Sequence, residues 1–287
     1  MKTSQAFKTL LLYRIGATLS YQIMMVAVGW HIYEITNSVI SLGLIGLAEL
    51  IPYFALALYA GHAVDRHSRK WIAAIACTFH IGVALFLVAI ALGWLAPPVP
   101  LIYLAVAFLG LARALLRPSY QAIFGQIIPR DQMPRYTAYA SSAFQICVVT
   151  GPGLGGLMIG FAGLEWTYAL AALSGAIGLY GVSFIRIKHE KSEGMSNDFL
   201  KSFLEGFHYV RKHDLIVSIM LLDMFAVLFG GAVSILPAFV KEVLNAGPET
   251  LGILRAAPAA GAVITGLYLA RRPLLAVSYT HLRAHET

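Results

Sequence analysis

The chain has 287 residues, of which 59% are hydrophobic and 12% charged, too little polar surface to keep a globular protein of this length in water. Composition therefore places it in the membrane class. The formal net charge of +7 and pI of about 9.4 would suit a nucleic-acid partner only if Lys and Arg shared one face of a folded domain, and here they fall between apolar runs. The two cysteines, Cys77 and Cys147, lie far apart inside apolar stretches, which excludes a disulfide framework and a cysteine-rich metal site. No cofactor and no metal are expected.

Met1 to Met25 has the apolar character of a secretory signal but carries Arg14 inside the run and lacks a small-residue cleavage site, so it reads as a retained first span. A helix needs ~20 apolar residues to cross a bilayer core. Runs of that order recur at Leu10 to Tyr33, Val39 to Ala63, Trp71 to Leu95, Leu101 to Phe124, Tyr136 to Gly160, Trp166 to Ile185, Leu215 to Val240 and Leu251 to Ala270. The expected fold is thus an all-α polytopic membrane protein with both ends of its eight spans on one side. Lys2 and Lys8, Arg66, Arg69 and Lys70, Arg130 and Arg135, the stretch from Arg186 to Lys212, and Arg271 and Arg272 all fall in alternate loops, while the opposite loops hold Lys241. Cytoplasmic loops retain positive charge, so the amino terminus and the long loop after the sixth span are expected in the cytoplasm of a plasma (inner) membrane protein. In that loop Phe199, Leu200, Phe203, Leu204, Phe207 and Val210 recur at helical spacing. Such a helix fits either the inner membrane surface or the protein's own cytoplasmic ends.

Laying the seventh and eighth spans over the first and second reveals a repeat. Glu34, Ile35 and Asn37 align with Glu242, Val243 and Asn245, and after a one-residue shift Leu42, Gly43, Leu58 and Tyr59 align with Leu251, Gly252, Leu267 and Tyr268. The unit is six helices, and duplicated six-helix bundles that rock about a site between them are a common transporter architecture. The expected organisation is a six-helix bundle over 1–187, a cytoplasmic linker over 188–214, and the first two helices of a second bundle over 215–275. From Val277 onward polarity rises abruptly, and the peptide to Thr287 resembles a frame translation of a sequencing adapter. Residues 276–287 are therefore expected to be non-native, and His281 and His285 support no metal site.

Between the second and third spans, Gly61, Asp65, Arg66, Arg69 and Lys70 occur in the order GHAVDRHSRK. This resembles the GxxxDRxxRR/K signature of the major facilitator superfamily, and the flanking pattern extends the resemblance to Leu275. The resemblance implies the major facilitator fold and a conformational latch built from those five residues. Arg66, Arg69 and Lys70 also enforce topology. In the fifth span Gly151, Pro152, Gly153, Leu154, Gly155 and Gly156 make a close-packing, helix-weakening segment. It is similar to the antiporter motif of exporters in that superfamily, with Gly151, Pro152, Gly155 and Gly156 as the carrying residues. The linker and the two spans after it look like the enterobactin-exporter-like branch, the transmembrane secretion effectors.

Ionisable groups deep in a membrane are costly and so are functional candidates. Glu49 and Arg113 lie near the middle of the second and fourth spans, at similar depth, which suits an ion pair. Asp223, about a third of the way into the seventh span, is the leading proton-carrier candidate. Arg113 occupies the place of a superfamily arginine tied to proton coupling, although the glutamine and glycine that usually follow it are missing. Arg117 suits either an anionic substrate or snorkelling, and Arg14 and Arg255 are read as snorkelling from helix ends. His31 and His80 are isolated and read as structural, and Gln22, Trp30 and Gln145 are possible cavity-lining residues.

No Walker loop, HExxH pair or nucleophile elbow is present, so no catalytic residue is expected and the chain is not read as an enzyme. The expected function is secondary active transport, a proton-coupled efflux of a small amphiphilic molecule such as a siderophore or drug by alternating access. An importer of the same fold and a non-transporting membrane scaffold are the alternatives. The expected partners are a small-molecule substrate, protons and the lipid bilayer, with no nucleic acid, in a protein monomeric when complete.

Overall fold

A backbone without water must satisfy its own hydrogen bonds, and long apolar runs therefore fold as helices. The computed structural model describes residues 3–66, 68–96, 98–185, 208, 210–229 and 231–270. The six helices of the first part are α1 (Thr3–Thr36), α2 (Val39–Arg66), α3 (Arg69–Ala91), α4 (Pro98–Ile127), α5 (Met133–Ala162) and α6 (Leu164–Ser183). After the linker come α7 (Asp214–Phe229) and α8 (Pro248–Ala270). No strand occurs among the described residues. Segments Ser4–Thr36, Val39–Ala57, Arg69–Ala91, Pro98–Ile127 and Arg130–Ala162 are each long and apolar enough to cross a membrane.

The helices stop where the turn chemistry requires it. Asn37, just past α1, has φ 45°, and its N–H bonds the carbonyl of Tyr33 at 2.8 Å, closing the helix with a left-handed residue. Asn245, its partner in the sequence repeat, has φ 48° after the seventh span. Two asparagines in the same uncommon conformation at aligned positions give the repeat a physical counterpart.

α1 is the central helix and packs on α4, α5 and α6, while α2 packs on α4 and α3 lies between α4 and α6. Glycine sets these approaches. A Cβ on Gly16 would run into the backbone of Gly178, and one on Gly181 would lie 2.6 Å from the nitrogen of Tyr13, so the α1 and α6 backbones touch. Around that seam Leu10, Tyr13, Ile23, Met24, Leu87 and Leu109 are fully buried. His31 and His80 belong to this packing: Nδ1 of His31 lies 3.2 Å from the Tyr168 hydroxyl, and Nδ1 of His80 lies 3.0 Å from the carbonyl of Ala76. Ile40, Trp71 and Phe161 point outward, as expected of a surface solvated by acyl chains.

The seventh span departs from expectation. The apolar run suggests one helix from Leu215 to Val240, but α7 ends at Phe229. A tight 3₁₀ turn over Gly231–Ile235, one α-turn over Leu236–Ala238 and a wide π-turn over Phe239–Val243 follow. Gly231 follows another glycine in the sequence, and Pro237 removes a donor, so the i to i−4 ladder lacks both stiffness and a bond there. The expected amphipathic segment over 198–210 falls almost wholly outside the described residues, which include His208 and Val210 of it, both helical. The expected non-native tail over 276–287 also lies outside them.

The two parts meet along α5 and α8. A Cβ on Gly156 would lie 2.6 Å from Cα of Gly252, and one on Gly252 would lie 2.7 Å from the carbonyl of Pro152. The same segment of α5 faces α1 as well, with Gly151 against Cβ of Gln22 and Gly155 against Ile23. Gly16→Ala is expected to lower stability by about 1–3 kcal/mol through overpacking against α6. Gly82→Ala, where an added Cβ meets nothing within 4 Å, should stay within about 0.5 kcal/mol of the parent. Thermal melting of the two variants in detergent makes the comparison, and equal melting temperatures would refute the seam.

Candidate functional site

α4 crosses α2 where Gly110 meets Glu49. A side chain on Gly110 would collide with the carbonyl of Glu49, so only glycine permits this approach. Arg113, nearly one turn further along α4, is thereby brought to the Glu49 carboxylate: Nη1 lies 2.6 Å from Oε1. Tyr21 of α1 completes the group. Its hydroxyl donates to the same Oε1 at 2.7 Å and accepts from Nη1 of Arg113 at 3.0 Å. The Arg113 guanidinium also lies over the Tyr21 ring at 4.9 Å and the Tyr53 ring at 5.5 Å. Side-chain exposure is 7% for Glu49 and 44% for Arg113, so the carboxylate is enclosed while the arginine keeps an open edge.

The arrangement defines its chemistry. The enclosed carboxylate is paired with a guanidinium and accepts from a phenol, and removing the guanidinium would take away its counter-charge. A proton arriving on Glu49 would cancel the attraction to Arg113 and turn the carboxyl into a donor. The group is shared by three helices, α1, α2 and α4.

The second part of the chain reaches the same place. Arg255 of α8 donates from Nη1 to the carbonyl of Met25 at 2.9 Å, one turn beyond Tyr21 on α1. This corrects the snorkelling reading, because α8 begins at Pro248 and Arg255 sits about 10 Å along it at ~1.5 Å per residue. Arg14 is likewise not extended toward a membrane surface. Its guanidinium lies 4.3 Å from the centre of the Tyr120 ring and 4.9 Å from that of Phe144. At the opposite end of α1, Tyr33 donates to Glu242 and Lys241 donates to Asn37 at 3.2 Å, so side chains of the two parts also join there.

The other sequence candidates are dispersed. Asp223 is exposed on α7, and no hydrogen bond or ion pair joins it to the group around Glu49. Arg117 is exposed one turn from Arg113, with no partner among the described residues. In the loop motif, Arg69 donates to the carbonyl of Ala122 at 3.3 Å and Lys70 to that of Ser183 at 2.7 Å, both within the first bundle. The side chains of Gly61, Asp65 and Arg66 lie outside the described residues. Gly151, Pro152, Gly155 and Gly156 of α5 are all buried, between α1 and α8.

Residues 2–278 match the family described as "Transmembrane secretion effector". The chain belongs to this family. Its fold is that of the major facilitator superfamily. A bacterial homolog of the human lysosomal transporter Spinster, in an inward-facing and unoccupied conformation, superposes with TM-score 0.66 at 17% identity, covering 91% of this chain and 60% of that one. A POT family transporter in complex with 5-aminolevulinic acid superposes with TM-score 0.56 at 13% identity, covering 79% and 47%. Among curated relatives, macrolide efflux protein A of Streptococcus pyogenes is 22% identical over 86% of this chain and 62% of its own length. Enterobactin exporter EntS of Shigella dysenteriae is 26% identical over 93% and 64%, and the staphyloferrin A transporter of Staphylococcus aureus is 21% identical over 85% and 62%. The chain thus spans under two thirds of the length of these relatives.

Sequence reasoning missed Tyr21 and Tyr53 and misread the place of Arg255. Tyr21 adjoins Gln22 in the middle of α1, a polar pair in an apolar helix, and that was the available signal. Arg255 was hidden by placing the start of the eighth span at Leu251 rather than Pro248. The shared geometry predicts that Tyr21→Phe and Glu49→Gln are strongly non-additive in stability, with a coupling of about 0.5–3 kcal/mol. A double-mutant cycle on melting of the purified protein measures this, and additive effects would show that the phenol does not support the carboxylate.

Proposed function

We propose that the protein exports a small amphiphilic molecule, such as a siderophore or drug, across the plasma (inner) membrane in exchange for protons. Alternating access carries the exchange, with the amino terminus in the cytoplasm. The observation that carries this reading is the Glu49, Arg113 and Tyr21 group, an enclosed carboxylate whose charge is balanced by one arginine. Such a group releases its arginine when protonated, and a proton and a substrate that compete for the same arginine are coupled by that competition. Outward direction is supported by the similarity to a macrolide efflux protein and an enterobactin exporter and by the glycine-rich segment of α5. The motif of Gly61, Asp65, Arg66, Arg69 and Lys70 is assigned the role of a cytoplasmic latch, in keeping with its place at the end of α2 and the start of α3.

Glu49 is the proposed proton carrier, in preference to Asp223, because it alone of the two has a charged partner among the described residues. Proton flux driven by candidate siderophores and drugs in proteoliposomes tests the assignment. Glu49→Gln is expected to reduce substrate-driven proton movement by about 100-fold or more, while Asp223→Asn retains at least about half. The reverse pattern would move the carrier to Asp223, and the absence of flux with every compound would favour a non-transporting scaffold.

A further inference from the structure

Two guanidinium groups contact α1 at positions one turn apart, Tyr21 and Met25, where the two parts of the chain meet. Arg113 comes from the first part and uses Nη1 on both Glu49 and Tyr21. Arg255 comes from the second and donates Nη1 to the carbonyl of Met25. It lies within electrostatic reach of Tyr21 and Glu49, yet among the described residues no carboxylate is at ion-pair distance from it. Glu49 is already matched by Arg113, so the group carries one positive charge more than it carries negative.

A guanidinium in an apolar helix held by a single carbonyl dipole is an expensive arrangement that an anion would relieve. Each guanidinium has five N–H donors, so both retain unused edges, and the 44% exposure of the Arg113 side chain leaves one of those edges accessible. The rings of Tyr21 and Tyr53 flank it. Planar rings beside a cation favour an organic anion with an apolar body over a hydrated inorganic one.

We infer that Arg113 and Arg255 form a composite anion site, one arginine from each part of the chain, that takes the carboxylate or phenolate of an amphiphilic substrate. The inference rests on the transport reading above and narrows its substrate to organic anions. Because the ligand would bridge the two parts, Arg255 is a specificity residue as well as a structural one.

Equilibrium binding to the purified full-length protein in a non-ionic detergent at neutral pH tests the site. The probes are two pairs differing in charge alone, salicylate with salicylamide and octanoate with octanamide, plus inorganic phosphate. Each organic anion should bind at least about tenfold more tightly than its amide, with phosphate weaker than both anions. Arg255→Gln and Arg113→Gln should each abolish the preference, and Arg255→Lys should keep part of it. Amides that bind as well as the anions, anions that do not bind saturably, phosphate that matches the organic anions, or an unchanged preference in Arg255→Gln would each overturn the site. The comparison of charged and uncharged probes on the parent protein does not depend on whether any variant folds. Proton flux driven by an uncharged amphiphile would leave the transport reading standing while this inference fell.

Discussion

A carboxylate inside an apolar helix bundle must be matched where it stands, and the match at Glu49 makes demands on five helices at once. Arg113 reaches it because Gly110 lets α4 lie against the backbone of α2. Tyr21 reaches it because α1 is pressed into the centre of the bundle, with Gly16 on the seam with α6 and Gly151 and Gly155 of α5 closing on Gln22 and Ile23. The glycines thus have a chemical consequence beyond packing. Each removed side chain brings two backbones closer, and the sum of these approaches places a phenol and a guanidinium on one oxygen.

The glycine-rich part of α5 also couples the two parts of the chain. Its faces contact α1 through Gly151 and Gly155 and α8 through Gly156. A shift of α8 at Gly252 is therefore felt by a helix that also bears on Gln22, immediately next to Tyr21. Close-packed contacts of this kind have few intermediate positions, so they favour discrete arrangements over continuous bending. The repeat places comparable caps at Asn37 and Asn245, yet the elements before them differ. α1 runs unbroken over 34 residues, whereas the seventh span is interrupted after Phe229. The duplicated pattern sets where each chain turns, and local glycine and proline set how straight the path to that turn is.

Much of the fold was legible because the solvent imposes a coarse rule. Apolar length gave α2 to α6 and α8 to within a few residues, although α1 begins at Thr3 rather than Leu10, and the polarity of Glu49 and Arg113 in such runs singled them out. What remained hidden depends on rotation and contact, which hydropathy does not encode. Tyr21 reads as one more aromatic residue of a membrane helix until α1 is turned toward α2. Arg255 reads as a residue near a helix end until the helix is seen to begin at Pro248. Depth in the sequence likewise says nothing of exposure, and α7 presents Asp223 at an exposed position. The break after Phe229 was signalled by glycine and proline, yet the apolar run through them carried the stronger pattern.

The location of the charged group constrains how transport would be coupled. A bound proton or substrate shifts an equilibrium between two arrangements only by as much as its affinity differs between them. A group confined to one bundle would feel little change when the bundles move as rigid bodies. The group at Glu49 is not so confined, because Arg255 crosses from α8 to the carbonyl of Met25 one turn from Tyr21. Separation of α8 from α1 would withdraw a positive charge from the neighbourhood of Glu49. By linkage, protonation of Glu49 would weaken the hold of the first bundle on Arg255 and make separation easier. The contacts of Tyr33 with Glu242 and of Asn37 with Lys241 close the same pair of elements at the far end of α1. On the proposed function, the energetic cost of opening that end is set against the charge state of a single carboxylate about 20 Å away along α1, at ~1.5 Å per residue.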